Sequence, residues 1–403
     1  MPIPITQKPI SVCLLTSSLE FGGAERQVVE MLRNFDSSRV RAIVCSLSAN
    51  VPLADTLPNR ADWLHIVEKH GRFDVTTVFR VARLFQRYKV DVVHAFLFDS
   101  EIVARLAARL ARVPVVISSE RNTDYTRPFL HKAALKLTKP LFDVMVANSN
   151  AGKQFNIRTQ GLAESRIEVV HNGVDGEHFH PDREAGLAFR TRLGLPPAAP
   201  VVGMVGSFKR QKDHATFLRM ADRILDTRPD CRFLIAGDVI SGSEDSMAYA
   251  SEIRDLADTL HLGQRCLFIG NQQDILGFYN ACDLTVLLSL REGTPNVALE
   301  SMACGRPVIA SDIADNAIII QNGTVGYIVP TGAWAEAAHH VVCLLREPEA
   351  LRRMGSAARD HVCREYTPAR AAGMLTSIYL ARHAASIARQ RSSIGRNTPE
   401  PRH

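Results

Sequence analysis

Short apolar runs alternate with amphipathic stretches along this chain, and the alternation starts twice. In the first series, residues 10–17, 41–47, 63–67, 90–96, 114–118 and 143–147 have strand length and apolar character. A seventh run, 167–175, closes the series with a short strand and an Asn-Gly turn. Between them, 24–35, 76–88, 100–111 and 128–141 have helical spacing. In the first of these, Val28, Val29, Met31, Leu32 and Phe35 fall on one side, leaving Glu25, Arg26 and Glu30 for solvent. Strands that alternate with helices build a parallel sheet covered on both faces. A polar, proline-rich passage over 181–200 follows, and then the pattern restarts. Its strands are expected at 201–205, 232–236, 266–269, 283–288, 306–310 and 326–329, with helices at 213–225 and 275–281. The chain beyond 335 is helical, over 335–345, 350–366 and 369–388, and the polar, basic segment 389–403 reads as a frayed tail. The fold class is therefore α/β, with two Rossmann-like, doubly wound parallel-sheet domains at 1–185 and 186–366.

A length of 403 residues suits two such domains, and 46% apolar with 22% charged residues is ordinary for a soluble globular chain. The formal charge of +6 is small for this length. It accommodates anionic ligands or an anionic surface without requiring nucleic acid, for which the sequence carries no motif. The eight cysteines, at 13, 45, 231, 266, 282, 304, 343 and 363, never show the two-residue spacing of a zinc or redox site. They read as small buried hydrophobes in a reducing compartment. No basic segment precedes a long apolar run at the start, and no uninterrupted apolar stretch of about 18 residues occurs, so a cytoplasmic location is expected.

The stretch most informative about chemistry is SLREGTPNVALESMACGRP, 289–307. An apolar strand feeds a polar turn with Glu292 and Gly293. A helix follows with Thr294 as the expected N-cap, Pro295 in its first position, and Gly305 and Pro307 as stop signals. Such a unit aims carboxylates and free backbone N–H groups beyond the end of a strand, where open α/β sheets bind ligands. A carboxylate can accept two sugar hydroxyls at once, so Glu292 suits a transferred sugar and Glu300 a ribose. Taken alone, two glutamates are better explained as solvated surface residues. Gly22 and Gly23, at the start of the first helix, would let a backbone approach a phosphate, although a Gly-Gly pair alone reads as a turn.

EGTPNVALESMACGRPVIASD resembles the signature of retaining glycosyltransferases of family 4 (the group 1 glycosyl transferases). Three more segments are similar to that family: the Gly-Gly-Ala loop at 22–24, VVHNGVD at 169–175 and VGMVGSFKRQKDH at 202–214. The resemblance implies the two-domain GT-B fold, its domains facing across a cleft, with 367–388 as a helix packing back on the first domain. It implies that Glu292 contacts the donor sugar and Glu300 the ribose. Gly293, Thr294, Asn296 and Val297 would line the donor, and Lys212 would pair with the diphosphate. His94, ending the strand VDVVHAF, matches a histidine beside the donor sugar and acceptor, so Glu292, His94 and Lys212 are the expected catalytic set. Arg121 and Asn122 are expected on the acceptor. Where the family carries an arginine this chain has Ser207, and Lys209 or Arg210 would supply the missing charge. At 312–316 it has Asp-Ile-Ala-Asp-Asn where many relatives have Gly-Gly before the asparagine.

The implied activity is transfer of a sugar from a nucleoside diphosphate sugar, UDP- or GDP-linked, to a glycan or lipid-linked acceptor in cell-surface polysaccharide or glycolipid synthesis. No metal or organic cofactor is expected. A nucleotide-sugar epimerase or phosphorylase on the same fold, and a non-catalytic nucleotide-sugar binding partner, stay open. Two basic rows, Lys132, Lys136 and Lys139, and Arg105, Arg109 and Arg112, are compatible with peripheral contact with an anionic membrane at its inner face, or with simple solvated helix faces.

Overall fold

Strands in which nearly every residue is apolar must be covered on both faces. The computed structural model, which describes residues 8–20, 22–57, 59–71, 74–121 and 128–395, meets that requirement twice. The first series forms β1 (Ile10–Thr16), β2 (Val40–Ser46), β3 (Leu64–Ile66), β4 (Val92–Phe96), β5 (Val115–Glu120), β6 (Val144–Ala147) and β7 (Ile167–Val169). The second forms β8 (Val201–Val205), β9 (Arg232–Ala236), β10 (Cys266–Gly270), β11 (Leu284–Leu287), β12 (Val308–Ser311) and β13 (Gly326–Val329). Their spatial orders are β3-β2-β1-β4-β5-β6-β7 and β10-β9-β8-β11-β12-β13. Every pairing between these strands is parallel.

Alternation along each strand divides the core between the two faces. On β1, Ile10, Val12 and Leu14 enter one apolar cluster while Cys13 and Leu15 enter the other. On β8, Val202 and Met204 face one cluster and Val201 the opposite one. Fully burying such a side chain is worth about 1.5–3 kcal/mol, so a one-residue slip in register would forfeit several at once. All eight cysteines are free and six are buried, packed as small apolar groups.

The chain divides into two compact units, 1–172 with 368–403, and 173–367. The division lies at 172/173 rather than 185/186. Part of the proline-rich passage is in fact a helix, Arg183–Arg192, which the Asp182 side chain caps by accepting from the N–H of Ala185. Phe189 of that helix meets Phe278 edge-on, and a Cβ on Gly186 would lie 2.4 Å from the Asn280 carbonyl oxygen. The helix is thus packed tightly against Ile275–Ala281 of the second unit. Besides the single turns Arg60–Trp63 and Asn316–Ile319, sequence reading also left two long helices unassigned, Asn150–Gln160 and Glu244–Thr259. Their apolar faces are narrow and polar residues fill most positions.

The last helix, Pro368–Gly395, returns to the first unit and runs past 388, where a frayed tail was expected. Ala371, Leu375 and Tyr379, four residues apart, give it one apolar stripe on the first sheet's core. Further along, Arg382 pairs with Glu168 at 3.1 Å and the Ser386 hydroxyl donates to the Pro114 carbonyl. Within the expected tail, 389–395 is helical and Arg389 lies 3.5 Å from Asp143, while 396–403 falls outside the described residues.

Candidate active site

In each sheet the strand order reverses beside the first strand, between β1 and β4 and between β8 and β11. Loops leaving the two neighbouring strands there diverge and open a crevice at their C-terminal ends. In the second unit this geometry joins residues that lie 80 positions apart. The loop after β8 carries Lys212 and the loop after β11 carries Glu292, and Nζ of Lys212 lies 2.6 Å from Oε1 of Glu292. The Leu290 N–H donates to the Gln211 carbonyl at 2.7 Å, tying the two loops together. The Ser289 hydroxyl donates to the same Glu292 oxygen at 2.8 Å. Only 15% of the lysine side chain and 11% of the glutamate side chain are exposed, so the pair is strongly shielded from water.

Glycines make this approach possible. A Cβ on Gly206 would stand 3.2 Å from Cγ and Cδ of Lys212, whose stem therefore lies against bare backbone. Gly237 has φ +145, and a Cβ there would meet the Gly206 carbonyl oxygen at 2.1 Å. Behind the loop, His214 is wholly buried. Its Nε2 lies 3.4 Å from the Gly206 carbonyl oxygen, and its ring stacks on Phe208 at 4.7 Å. Burial, with a smaller contribution from the Lys212 charge, pushes the His214 pKa down to about 4.

The helix following Glu292 is Asn296–Ala303. Its N-cap is Pro295 rather than Thr294, and no side chain caps it. Thr294 is itself buried, so the proline enters one position earlier than its usual place. The helix dipole places partial positive charge at this end, beside the loop that holds Glu292. At its other end Gly305, with φ +70, completes a Schellman turn: the Gly305 N–H reaches Met302 and the Arg306 N–H reaches Ser301. Inside the helix Glu300 is buried and accepts a 2.7 Å hydrogen bond from the Tyr279 hydroxyl.

The substitutes expected for the missing arginine behave differently from one another. Arg210 turns away to Glu252, with 2.9 Å and 2.5 Å hydrogen bonds, at a largely exposed position. Lys209 is exposed, and Ser207 is half-buried and uncharged. At 312–316, Ala314 adopts φ +48, the left-handed conformation that a glycine would hold without strain. The amide of Asn316 donates to the Ser311 carbonyl and closes that loop.

In the first unit, Gly22 is the N-cap of the helix Gly23–Asn34, and a Cβ there would meet Oε2 of Glu25 at 2.1 Å. The anion nearest this helix start is thus the chain's own carboxylate. Burial raises its pKa, while the neighbouring Arg121 charge acts the opposite way. Arg121 sits at the end of β5, donates to Asn172 Oδ1 at 2.6 Å and lies over the Phe96 ring. Asn122 falls outside the described residues.

His94 lies at the centre of the fourth strand's packing. It has no exposure, its ring stacks on Phe96, and its Nδ1 is 2.7 Å from the Tyr379 hydroxyl of the last helix. Burial drives its pKa well down. The last helix holds one side of the ring through Nδ1, while Nε2 is buried without a hydrogen-bond partner among the described residues. Arg105 is not part of a surface row. It is fully buried, bonded to Glu101, Ser118 and Thr138, and stacked on Phe142. Lys139 follows the helix Phe129–Thr138 and caps the Gln160 and Gly161 carbonyls. Lys132, Lys136, Arg109 and Arg112 are exposed.

Two family models match the chain: "Glycosyl transferases group 1" over 187–361, and "Glycosyltransferase Family 4" over 21–178. The chain belongs to the group 1 glycosyl transferases. A D-inositol 3-phosphate glycosyltransferase of Mycobacterium sp. (strain JLS) is 31% identical over 284 residues, 67% of this chain and 62% of the relative's own length. An Escherichia coli UDP-Gal:alpha-D-GlcNAc-diphosphoundecaprenol alpha-1,3-galactosyltransferase is 29% identical over 266 residues, 64% of this chain and 66% of that one. Among solved structures, Anabaena HepE in complex with UDP superposes with a TM-score of 0.80 at 19% identity, covering 92% of this chain and all of that one. A glycosyltransferase from Rickettsia africae gives 0.79 at 19% identity, covering 93% and 99%. These likenesses establish the GT-B fold, two parallel-sheet α/β domains.

Of the expected donor residues, the structure brings Lys212 and Glu292 into contact and sets Glu300 on the helix that starts beside them. Ser289, Tyr279 and His214 were not singled out from sequence. Ser289 stands just past β11, three residues before Glu292, a position that topology marks. Tyr279 carries no such mark, because its partner Glu300 lies 21 residues on in another helix, and His214, though close in sequence to Gly206 and Phe208, shows no local sign that its ring is buried.

Proposed function

We propose that this chain transfers a glycosyl group from a nucleoside diphosphate sugar, UDP- or GDP-linked, to a hydroxyl of a glycan or lipid-linked acceptor, with retention at the anomeric carbon. The observation that carries the reading is the Lys212–Glu292 pair at the switch point of the second sheet, beside the start of the helix Asn296–Ala303. In this scheme the bond from the anomeric carbon to the diphosphate oxygen breaks and its electron pair goes to the leaving group. The acceptor oxygen bonds to the same face, and its proton passes to the departing diphosphate. The Lys212 ammonium and the helix N-terminus offset the charge that grows on the phosphates. Glu292 accepts hydroxyls of the transferred sugar, and Glu300, oriented by Tyr279, those of the ribose. Gly293, Thr294, Asn296 and Val297 border the donor. The scheme needs no metal or organic cofactor.

Both relatives quoted above are named for acceptors that carry phosphate. Arg121, at the C-terminal end of β5, is the cation suited to such a group in the first unit. A lipid-linked acceptor would place the enzyme at the cytoplasmic face of a membrane, in surface polysaccharide or glycolipid synthesis. Supporting this, the helix Phe129–Thr138 leaves Phe129, Leu130 and Leu137 more than half exposed among Lys132 and Lys136. Among the described residues no helix is long and apolar enough to cross a membrane, so contact would be peripheral.

The test is a thermal-shift panel of UDP-, GDP- and ADP-sugars, followed by labelled transfer into a lipid and glycan extract. A bound donor at a hundredfold excess over Kd stabilises by about 2.7 kcal/mol. Failure of every sugar nucleotide to shift the midpoint, with no label transferred, would sink the proposal. Product formed without any acceptor would point to an epimerase.

A further inference from the structure

The ammonium assigned to the diphosphate is itself paired with a carboxylate of the chain. Nζ of Lys212 stands 2.6 Å from Oε1 of Glu292, and both side chains are largely withdrawn from water. A lone ammonium or carboxylate at such a depth would be costly, so each serves as the other's counter-ion. We propose that Glu292 and a diphosphate compete for Lys212, the carboxylate yielding the ammonium when a nucleotide enters, and the same exchange freeing the carboxylate for the transferred sugar. This rests on the donor-site reading above and concerns the order of events within that site.

Three observations favour exchange between head groups over movement of the loops. The Leu290 N–H to Gln211 carbonyl bond holds both loops at a fixed separation. The lysine stem lies against Gly206, where a Cβ would stand 3.2 Å from its Cγ and Cδ, so only the end of the side chain has far to travel. The Ser289 hydroxyl, which donates to the same Glu292 oxygen at 2.8 Å, remains to hold the carboxylate after the lysine leaves. The neighbouring Arg210 is turned to Glu252 and does not substitute for the lysine in this exchange.

The exchange has a cost that can be measured, because a nucleotide must displace an ion pair before it gains one. Removing the carboxylate removes the competitor as well as its repulsion of the phosphates. The expected result is therefore opposite in sign for binding and for transfer. Glu292→Gln binds a nucleoside diphosphate about tenfold more tightly, near 1.4 kcal/mol, while sugar transfer falls.

Calorimetric titration of UDP, GDP and ADP into the unmodified chain, Glu292→Gln and Lys212→Met decides the matter. A lower Kd for Glu292→Gln with loss of binding in Lys212→Met supports the exchange. An equal or higher Kd for Glu292→Gln overturns it, since a carboxylate that touches only the sugar leaves nucleotide binding unchanged. If neither the unmodified chain nor Glu292→Gln binds any of the three, the donor-site reading falls and the exchange with it. Should Glu292→Gln fail to fold, Glu292→Asp draws the charge back by one methylene. It is expected to tighten binding by a smaller factor, and an unchanged Kd there overturns the proposal equally.

Discussion

Acidification should weaken the second unit through one buried imidazole, and His214→Gln should remove that sensitivity. His214 has no solvent exposure, its Nε2 faces the Gly206 carbonyl oxygen, and its Nδ1 is buried without a hydrogen-bond partner among the described residues. Burial penalises the charged ring, and the nearby Lys212 charge adds to that penalty, which is why the folded-state pKa falls from 6.5 to about 4. Between those values the unfolded chain binds a proton that the folded chain does not. The contribution is complete above pH 6.5 and is lost as pH falls toward 4. At about 1.4 kcal/mol per pH unit, the full loss is roughly 3 kcal/mol, and about 2 kcal/mol of it comes between pH 7 and 5. Carboxylates titrate over the same range, so the informative quantity is the difference between parent and variant. The two tryptophans make it accessible, Trp63 lying in the first unit and Trp334 in the second. In a Trp63→Phe background, urea unfolding followed by fluorescence reports the unit that holds His214. His214→Gln should be the less stable protein at pH 7, and the gap should close by about 2 kcal/mol at pH 5. A gap constant to within about 0.5 kcal/mol would show that this imidazole is not held neutral, and the reasoning would fail.

Tyr379→Phe deletes a hydroxyl bonded to His94 inside the core and should cost about 1–3 kcal/mol. The loss should appear in Trp63 fluorescence with Trp334 unmoved, and an unchanged midpoint would deny that the last helix is part of the first unit's core. Gly186→Ala would drive a methyl to 2.4 Å from the Asn280 carbonyl oxygen, a backbone atom that cannot rotate away. A destabilisation of about 1–3 kcal/mol is expected in the second unit, and a neutral result would mean that the two helices separate freely. Replacing Leu130 and Leu137, both exposed, with serine should lower sedimentation with vesicles containing anionic lipid while leaving nucleotide binding intact. Equal sedimentation would remove that helix from the membrane reading.

Much of this protein was legible without coordinates because its signals are local. Strands β1 to β13 lie where apolar runs of strand length occur, since a run covered on both faces admits few other residues. Gly305 marks the end of its helix because the Schellman turn requires positive φ. Glu292, Glu300 and Lys212 stood out by motif, and their placement at the end of strands followed from the alternation around them. Where two local signals competed, the outcome needed more. Thr294 and Pro295 both suit a helix start, and in the structure the N-cap is Pro295, with Thr294 buried just before it. Composition made 389–403 look unstructured, yet Arg382 and Ser386 anchor the helix that continues to Gly395.

Long-range neighbours were decided by tertiary structure alone. Nothing in the sequence around His94 announces Tyr379, 285 residues away, whose hydroxyl meets its Nδ1 inside the core. Arg105 reads as one of a basic row, but its helix turns it inward onto Glu101 and Phe142. The contact between Lys212 and Glu292 depends on β8 and β11 being neighbours in the sheet although they are not consecutive in the chain. Periodicity encodes which face of an element is apolar, and so it determined the elements, the sheets and the fold class. Which side chains meet is a property of how those elements are ordered in space, and short-range pattern carries no record of it.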